Sequence, residues 1–131
     1  MKIKICGLKD PGNIKAVAGL KPDFIGFIRY SKSPRFSEEL PADVLKQLPA
    51  GMIKTAVFVD EEMPVIDALI EKYKLDAVQL HGGESPEFCA KLKSKVKVLK
   101  AFGLDEHFDF KILENFRSSS NSFRHPMGET L

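Results

Sequence analysis

The chain has 131 residues, and 44% hydrophobic with 29% charged residues is the balance of a single globular domain. Its net charge of +2 comes from scattered basic residues, which argues against nucleic acid or a membrane surface as a partner. No apolar run approaches the ~20 residues that a membrane helix needs. The two cysteines, Cys6 and Cys89, lie far apart in no metal-ligand spacing, and no signal-peptide pattern precedes them. These features favour a reducing cytoplasm.

The first strand pattern lies at the N-terminus. Residues 2–6 alternate between lysine or cysteine and isoleucine, which predicts a short strand, and Gly7 follows where the backbone must turn. Cys6 therefore lies at the carboxyl end of strand one. In parallel sheets and barrels this is the end at which ligands bind. A lone cysteine is more often a buried small apolar residue, so its role depends on the rest of the chain.

Four more strand patterns follow, each separated from the next by a helical pattern. The predicted strands cover residues 23–28, 52–59, 76–80 and 96–102. Predicted N-caps of three helices are Asp10, Ser37 and Ser85. The helical positions predicted to be buried are Ile14, Val17, Ala18, Leu40, Val44, Leu45, Leu48, Val65, Ile66, Leu69, Ile70, Tyr73, Leu113, Phe110 and Phe116.

Five successive βα units without a hairpin signal predict an α/β fold with a parallel sheet and right-handed crossovers. Two architectures fit this pattern. One is an open doubly wound sheet of flavodoxin type, which places strand one in the middle. The other is the first five units of a (β/α)8 TIM barrel, which places the strands in the order 1-2-3-4-5. No glycine-rich phosphate fingerprint follows strand one, which weakens the nucleotide-binding alternative.

Polar side chains follow the other predicted strands. The loop over residues 29–36 offers Lys32 and Arg35 to an anion, although a loop arginine is often simply solvated. Asp60 follows strand three and could orient a substrate or cap the next helix, and capping is favoured. His81 follows strand four, where a histidine commonly packs or caps. Cys89 lies within a helical pattern, which favours packing over chemistry.

Five motifs occur together in one order and spacing: KICG at residues 4–7, DFIGFI at 23–28, SKSPR at 31–35, AVFV at 56–59 and QLHG at 79–82. From Met1 to about Phe116 this combination resembles phosphoribosylanthranilate isomerase of tryptophan biosynthesis.

The resemblance implies a TIM barrel that catalyses the Amadori rearrangement of N-(5-phosphoribosyl)anthranilate without a metal or organic cofactor. By resemblance, Cys6 is the general base that takes the proton from C2 of the sugar. Nearby positive charge favours a thiolate, and Lys4 points to the same face of strand one. Arg35 matches the residue that holds the anthranilate carboxylate, and His81 lines the substrate pocket. Asp60 is a further expected substrate contact.

The chain departs from the family pattern after the fifth helix. The sixth strand should end in an aspartate general acid and precede phosphate-binding loops, yet residues 122–126 contain Arg124 and Pro126 and no aspartate. We therefore expect residues 1–116 to form a (βα)5 part of a barrel and residues 117–131 to form a flexible tail. This loss of the family pattern favours a truncated or frame-shifted reading of a longer protein over the alternative, a natural short protein.

An incomplete barrel has physical consequences. Two bare sheet edges and an open apolar inner face should favour self-association, and the chain alone should be inactive. The alternatives are a non-catalytic remnant and a flavodoxin-like domain that binds a phosphorylated ligand.

Overall fold

In a computed structural model, which describes residues 1–117, five strands alternate with five helices. The strands are β1 (Lys4–Ile5), β2 (Phe24–Ile28), β3 (Ile53–Phe58), β4 (Ala77–Leu80) and β5 (Lys97–Lys100). The helices are α1 (Pro11–Gly19), α2 (Ala42–Lys46), α3 (Met63–Tyr73), α4 (Pro86–Lys93) and α5 (Ile112–Arg117). None of these helices is long and apolar enough to cross a membrane. The tail expected after Phe116 lies, from residue 118 onward, outside the described residues.

The strands form one parallel sheet in the order β1-β2-β3-β4-β5. This order confirms the prediction of an incomplete (β/α)8 barrel, and it contradicts the flavodoxin alternative, which needs β1 in the middle. The carboxyl ends of all five strands lie at one edge, which we call the rim. Cys6, Asp60 and His81 each follow the end of a strand and therefore belong to this rim.

Aspartates help to fix the register at the opposite edge of the sheet. Asp23 precedes β2, and its Oδ2 accepts a hydrogen bond of 2.8 Å from the backbone N–H of Ile3. Asp76 precedes β4 in the same way, and its Oδ2 accepts a bond of 2.9 Å from the N–H of Lys54. Each carboxylate satisfies an amide at the start of a neighbouring strand, so the same device is used at two places in the sheet.

The main core lies between the sheet and the helices. Its strand members alternate with residues that point to the other face, as the period of two requires. Fully burying one such side chain contributes roughly 1.5–3 kcal/mol. Core side chains from the strands and helices include Ile25, Phe27, Ala56, Phe58, Val78, Leu80, Val98, Ile14, Leu45, Ile66, Leu92 and Phe116.

The other face of the sheet, which becomes the inner face of a barrel, is also buried. Phe24, Ile28, Val57 and Leu99 lie on this face and are between 0% and 7% exposed. The expectation of an open apolar inner face is therefore wrong. The reason is the curl of the sheet together with its long side chains.

Two contacts demonstrate this curl. Lys4 Nζ on β1 donates a hydrogen bond to Gln79 Oε1 on β4, although β2 and β3 lie between them. The Nζ of Lys97 on β5 lies 5.6 Å from the ring centroid of Phe24 on β2. The inner face is thus filled by side chains that reach across it.

Two predicted helix caps are confirmed. Asp10 Oδ1 accepts a hydrogen bond of 2.9 Å from the N–H of Asn13, and Pro11 occupies the first turn of α1. Ser85 Oγ accepts a bond of 3.1 Å from the N–H of Phe88 at the start of α4. Each cap satisfies an amide that the helix itself leaves unpaired.

The predicted cap of α2 is wrong. The N–H of Ser37 donates to the carbonyl of Ile28, and its hydroxyl donates to the carbonyl of Glu39. These bonds hold residue 37 beside the end of β2, so the helix begins only at Ala42. Leu40 consequently precedes the helix, but it is buried, and its N–H donates to Tyr73 Oη at 3.2 Å.

Two positions predicted to be buried are exposed. Val65 is 40% exposed because α3 turns Ile66 and Tyr73 inward, and Val65 points about 100° away from Ile66. Phe110 is 62% exposed because α5 begins only at Ile112, which leaves this residue outside the helical face.

The caps provide a test of the helix boundaries. We expect Asp10→Ala and Ser85→Ala each to lower the free energy of unfolding by about 1 kcal/mol, measured by urea denaturation. Glu62→Ala is the matched control because Glu62 is the N-cap of α3 but makes no side-chain capping bond. A loss for Glu62→Ala as large as for the other two variants would contradict the capping assignment.

Candidate active site

Cys6 packs against a glycine of the neighbouring strand. A Cβ atom placed on Gly26 would lie 2.7 Å from Cys6 Sγ and 3.2 Å from its Cα, so the close approach requires glycine. The carbonyl of Gly26 accepts hydrogen bonds from the N–H groups of Gly7 and Leu8 at 3.0 and 3.3 Å. These contacts fix the backbone on the carboxyl side of Cys6. The thiol is free of disulfides and half-buried at the rim.

Arg35 lies directly beside Gly7, the residue that follows Cys6. Gly7 has a φ of +85°, and a Cβ there would lie 2.8 Å from Arg35 Cδ and 3.1 Å from Nη1. The side chain of Arg35 therefore crosses the turn that follows Cys6. The structure thus places the Arg35 side chain beside the residue that follows Cys6, although Gly7 and Arg35 are 28 positions apart in the chain. Lys32, the other cation of this loop, is exposed.

The Arg35 loop is held by its own polar groups. Buried Ser33 accepts a hydrogen bond of 3.2 Å at Oγ from the N–H of Arg35. Arg29 Nη1 donates to the carbonyls of Ser37 and Glu38, and its guanidinium stacks 5.2 Å from the Phe36 ring. Sequence reasoning missed the role of Arg29. The sequence signal for this role was the position of the arginine, which directly follows a buried strand and precedes a Ser- and Pro-rich loop.

Asp60 and His81 lie on adjacent parts of the rim. Asp60 adopts a left-handed conformation with a φ of +50°, and its Oδ1 accepts a hydrogen bond of 2.7 Å from the N–H of Gly83. The favoured interpretation of Asp60 as a helix cap is wrong, because the N-cap of α3 is Glu62. His81 is half-buried, and its N–H donates to the carbonyl of Phe58 at 2.9 Å.

A buried ion pair under this part of the rim was not predicted. Lys100 Nζ lies 2.7 Å from Glu84 Oε2, and the two side chains are 4% and 3% exposed. The Glu84 carboxylate also accepts hydrogen bonds from the N–H groups of Asp60 and Gly82, both at 2.9 Å. A lysine at the end of the apolar strand β5 was the sequence signal for a buried partner.

Lys4, which was expected to supply positive charge near Cys6, donates its ammonium hydrogen bond to Gln79. Both residues lie on the inner face, as does Cys6 by strand alternation. Cys89 is buried in α4, which confirms its packing role, and burial raises the pKa of the Cys89 thiol. Within residues 1–117 no three His, Cys, Asp or Glu side chains are grouped so that they could hold a metal ion.

Sequence comparison supplies the family. A profile described as N-(5'phosphoribosyl)anthranilate (PRA) isomerase matches residues 3–127. The chain belongs to the phosphoribosylanthranilate isomerase family. The match extends to residue 127, beyond Phe116, where the sequence resemblance was expected to end.

Similar proteins support this assignment. An N-(5'-phosphoribosyl)anthranilate isomerase of Cereibacter sphaeroides is 38% identical over 118 residues, which cover 87% of this chain and 56% of that protein. One of Parabacteroides distasonis is 37% identical over 129 residues, 94% of this chain and 57% of that protein. The chain thus spans little more than half the length of these relatives.

Solved structures of phosphoribosyl anthranilate isomerases have the same fold. The Thermotoga maritima structure is 31% identical with a TM-score of 0.82, and the match covers 99% of this chain and 65% of that one. A second structure is 33% identical with a TM-score of 0.80 over 90% of this chain and 61% of that one. That protein is in complex with reduced 1-(o-carboxyphenylamino)-1-deoxyribulose 5-phosphate.

The close approach of Gly26 to Cys6 gives a second prediction. We expect Gly26→Ala to lower the free energy of unfolding by about 1–3 kcal/mol, because the added methyl group overlaps Sγ. Gly51→Ala is the control, since a Cβ at Gly51 meets nothing within 4 Å. Urea denaturation measures both variants. Equal stability of the two would show that Cys6 does not press against β2.

The two cysteines provide a third prediction. Because Cys89 is buried and its thiol pKa is raised, we expect iodoacetamide at pH 8 to modify Cys6 well before Cys89 in the folded chain. Raising the pH should increase labelling of Cys89 only above the range in which an ordinary thiol ionises. Peptide mass spectrometry over a time course measures both sites, and labelling in urea is the control. Equal rates in the folded chain would contradict the burial of Cys89.

Proposed function

We propose that this chain carries the N-terminal part of the catalytic site of a phosphoribosylanthranilate isomerase. The observation that supports it best is the contact of the Arg35 side chain with Gly7, directly after Cys6, at the rim of a parallel sheet. The substrate is N-(5-phosphoribosyl)anthranilate, an aminoaldose that becomes an aminoketose. The relatives' shared name and the phosphosugar analogue in one of the solved structures support this choice.

Cys6 acts as the general base in this proposal. Its thiolate removes the proton from C2 of the ring-opened, protonated Schiff base. The C2–H electron pair becomes the C1=C2 double bond and the C1=N electron pair moves to nitrogen, which gives the enolamine of the Amadori rearrangement. The fixed backbone between Gly26 and Gly7 holds the sulfur in one place, which favours a defined reacting geometry.

Arg35 holds the anthranilate carboxylate. A guanidinium offers paired N–H donors in a plane, which match the two oxygens of a carboxylate. Because its side chain lies over Gly7, a ligand bound to it is held next to Cys6.

His81 and Asp60 line the same pocket. They follow β4 and β3, so they approach the substrate from the side opposite Arg35 along the rim. The hydrogen bond from Gly83 to Asp60 Oδ1 ties the two segments together. We assign them substrate contact rather than proton transfer.

The general acid and the phosphate-binding loops have no assigned residues within residues 1–117. In the proposal they belong to barrel units that correspond to the part of the relatives not covered by this chain. No nucleic acid or membrane partner is proposed, and the free cysteines suit the cytoplasm. In the described sheet, β1 and β5 are the edges through which residues 1–131 alone would self-associate.

Complementation tests the activity. Residues 1–131 are assayed alone and together with the remaining barrel units of the Cereibacter sphaeroides relative, by the fluorescence of the anthranilate substrate. We expect turnover only in the complemented sample. Cys6→Ala should lower kcat by ~10² to 10⁴ because the base is lost. Arg35→Ala should mainly raise KM.

Cys89→Ala is the matched control for the cysteine substitution, because Cys89 is buried among the core residues of α4 and does not follow a strand end. It should leave kcat and KM unchanged in the complemented sample. Undiminished turnover of Cys6→Ala would remove the proposed base. A folded complement without any turnover would favour a non-catalytic scaffold instead.

A further inference from the structure

The Glu84 carboxylate joins the ends of three strands. Oε1 accepts a hydrogen bond from the N–H of Asp60, just beyond β3. Oε2 accepts from the N–H of Gly82, just beyond β4, and from Lys100 Nζ at the end of β5. Lys100 Nζ also donates to the carbonyl of Gly82. One buried side chain thus fixes the backbone of the rim at Asp60 and directly after His81.

The hydrogen bonds of Glu84 to the rim amides are not needed for stability alone. Burying two charges carries a desolvation cost that a Coulomb attraction often only offsets, so a buried ion pair is weak evidence for stabilisation. Here, however, both oxygens of the anion are directed at main-chain amides of the rim. An apolar pair of equal volume would fill the space but could not accept those hydrogen bonds.

The backbone that Glu84 holds is unusual. Asp60 has a φ of +50°, a conformation that is uncommon for residues other than glycine, although aspartate is among those that adopt it more often. Gly82 lies so close to Asp60 that a Cβ atom placed on Gly82 would be 2.5 Å from Asp60 Oδ1. The hydrogen bonds to Glu84 supply a constraint that keeps both segments in these positions.

We propose that Glu84, with its charge held by Lys100, is a positioning residue for His81 and Asp60. It acts through the amides of Asp60 and Gly82 and does not touch the substrate. The role in turnover rests on the proposed function, whereas the role in holding the rim can be tested without any assay of activity. His81 is fixed from both sides, by its own N–H bond to Phe58 and by the Glu84 bond to the next residue.

Amide hydrogen exchange of the 131-residue chain, followed by NMR, tests the positioning. In Glu84→Gln one oxygen is replaced by an NH2 group, which cannot accept from an amide. We expect exchange at Asp60 or Gly82 to rise by roughly 10-fold or more while exchange in β4 stays unchanged. A purely stabilising pair would instead raise exchange across the whole sheet.

Asp67→Asn is the matched control. Asp67 Oδ2 also lies 2.7 Å from a lysine, Lys95, but its side chain is 38% exposed and the pair lies between α3 and the end of α4. It should change neither amide of the rim. Glu84→Asp is the second variant should Glu84→Gln not fold, because it keeps the charge yet is too short to reach both amides.

Turnover gives the complementary readout. In the complemented enzyme we expect Glu84→Gln to lower kcat/KM by roughly 10- to 100-fold per folded molecule. The reason is that His81 and Asp60 would be displaced from their positions against the substrate. Asp67→Asn should have no effect. Faster exchange at Asp60 or Gly82 without a change in kcat/KM would show that Glu84 holds the rim but does not position the substrate contacts for the reaction. Unchanged exchange at both amides would overturn the proposal altogether, whether or not the complement is active.

Discussion

Parallel strands require crossovers that return the chain to the same end of the sheet, and this constraint underlies the whole site. Each of the five strands delivers its carboxyl end to one rim, so residues far apart in sequence become neighbours. Cys6, Arg35, Asp60 and His81 all lie in segments that follow a strand. Their proximity results from the connection rule before any specific contact is made.

The specific contacts then depend on small residues that allow close approach. Gly26 admits Cys6, Gly7 admits the side chain of Arg35, and Gly82 admits Asp60. In each case an added Cβ would come within 3 Å of the functional side chain. Such packing fixes a side chain more strictly than one hydrogen bond does, because repulsion rises steeply at short distance.

The inner face of the sheet shows where reasoning from strand number alone fails. Five strands of a barrel were expected to leave this face open and apolar. Instead the curl lets Lys4 reach Gln79, and the side chains on that face bury one another. In the described sheet β1 and β5 remain edge strands. Self-association is therefore expected through these two edges and not through the inner face.

The sequence by itself determined the five βα units, the caps at Asp10 and Ser85, and the family, because these depend on local periodicity, capping chemistry and short motifs. It also located Cys6, Asp60 and His81 at strand ends and Arg35 in the loop that follows strand two. Only the tertiary structure decided the partners of these residues. The hydrogen bond from the Gly83 N–H to Asp60 and the Glu84–Lys100 ion pair each join segments that are distant in sequence. No local pattern encodes such contacts, since they arise only when the curled sheet brings the strand ends together.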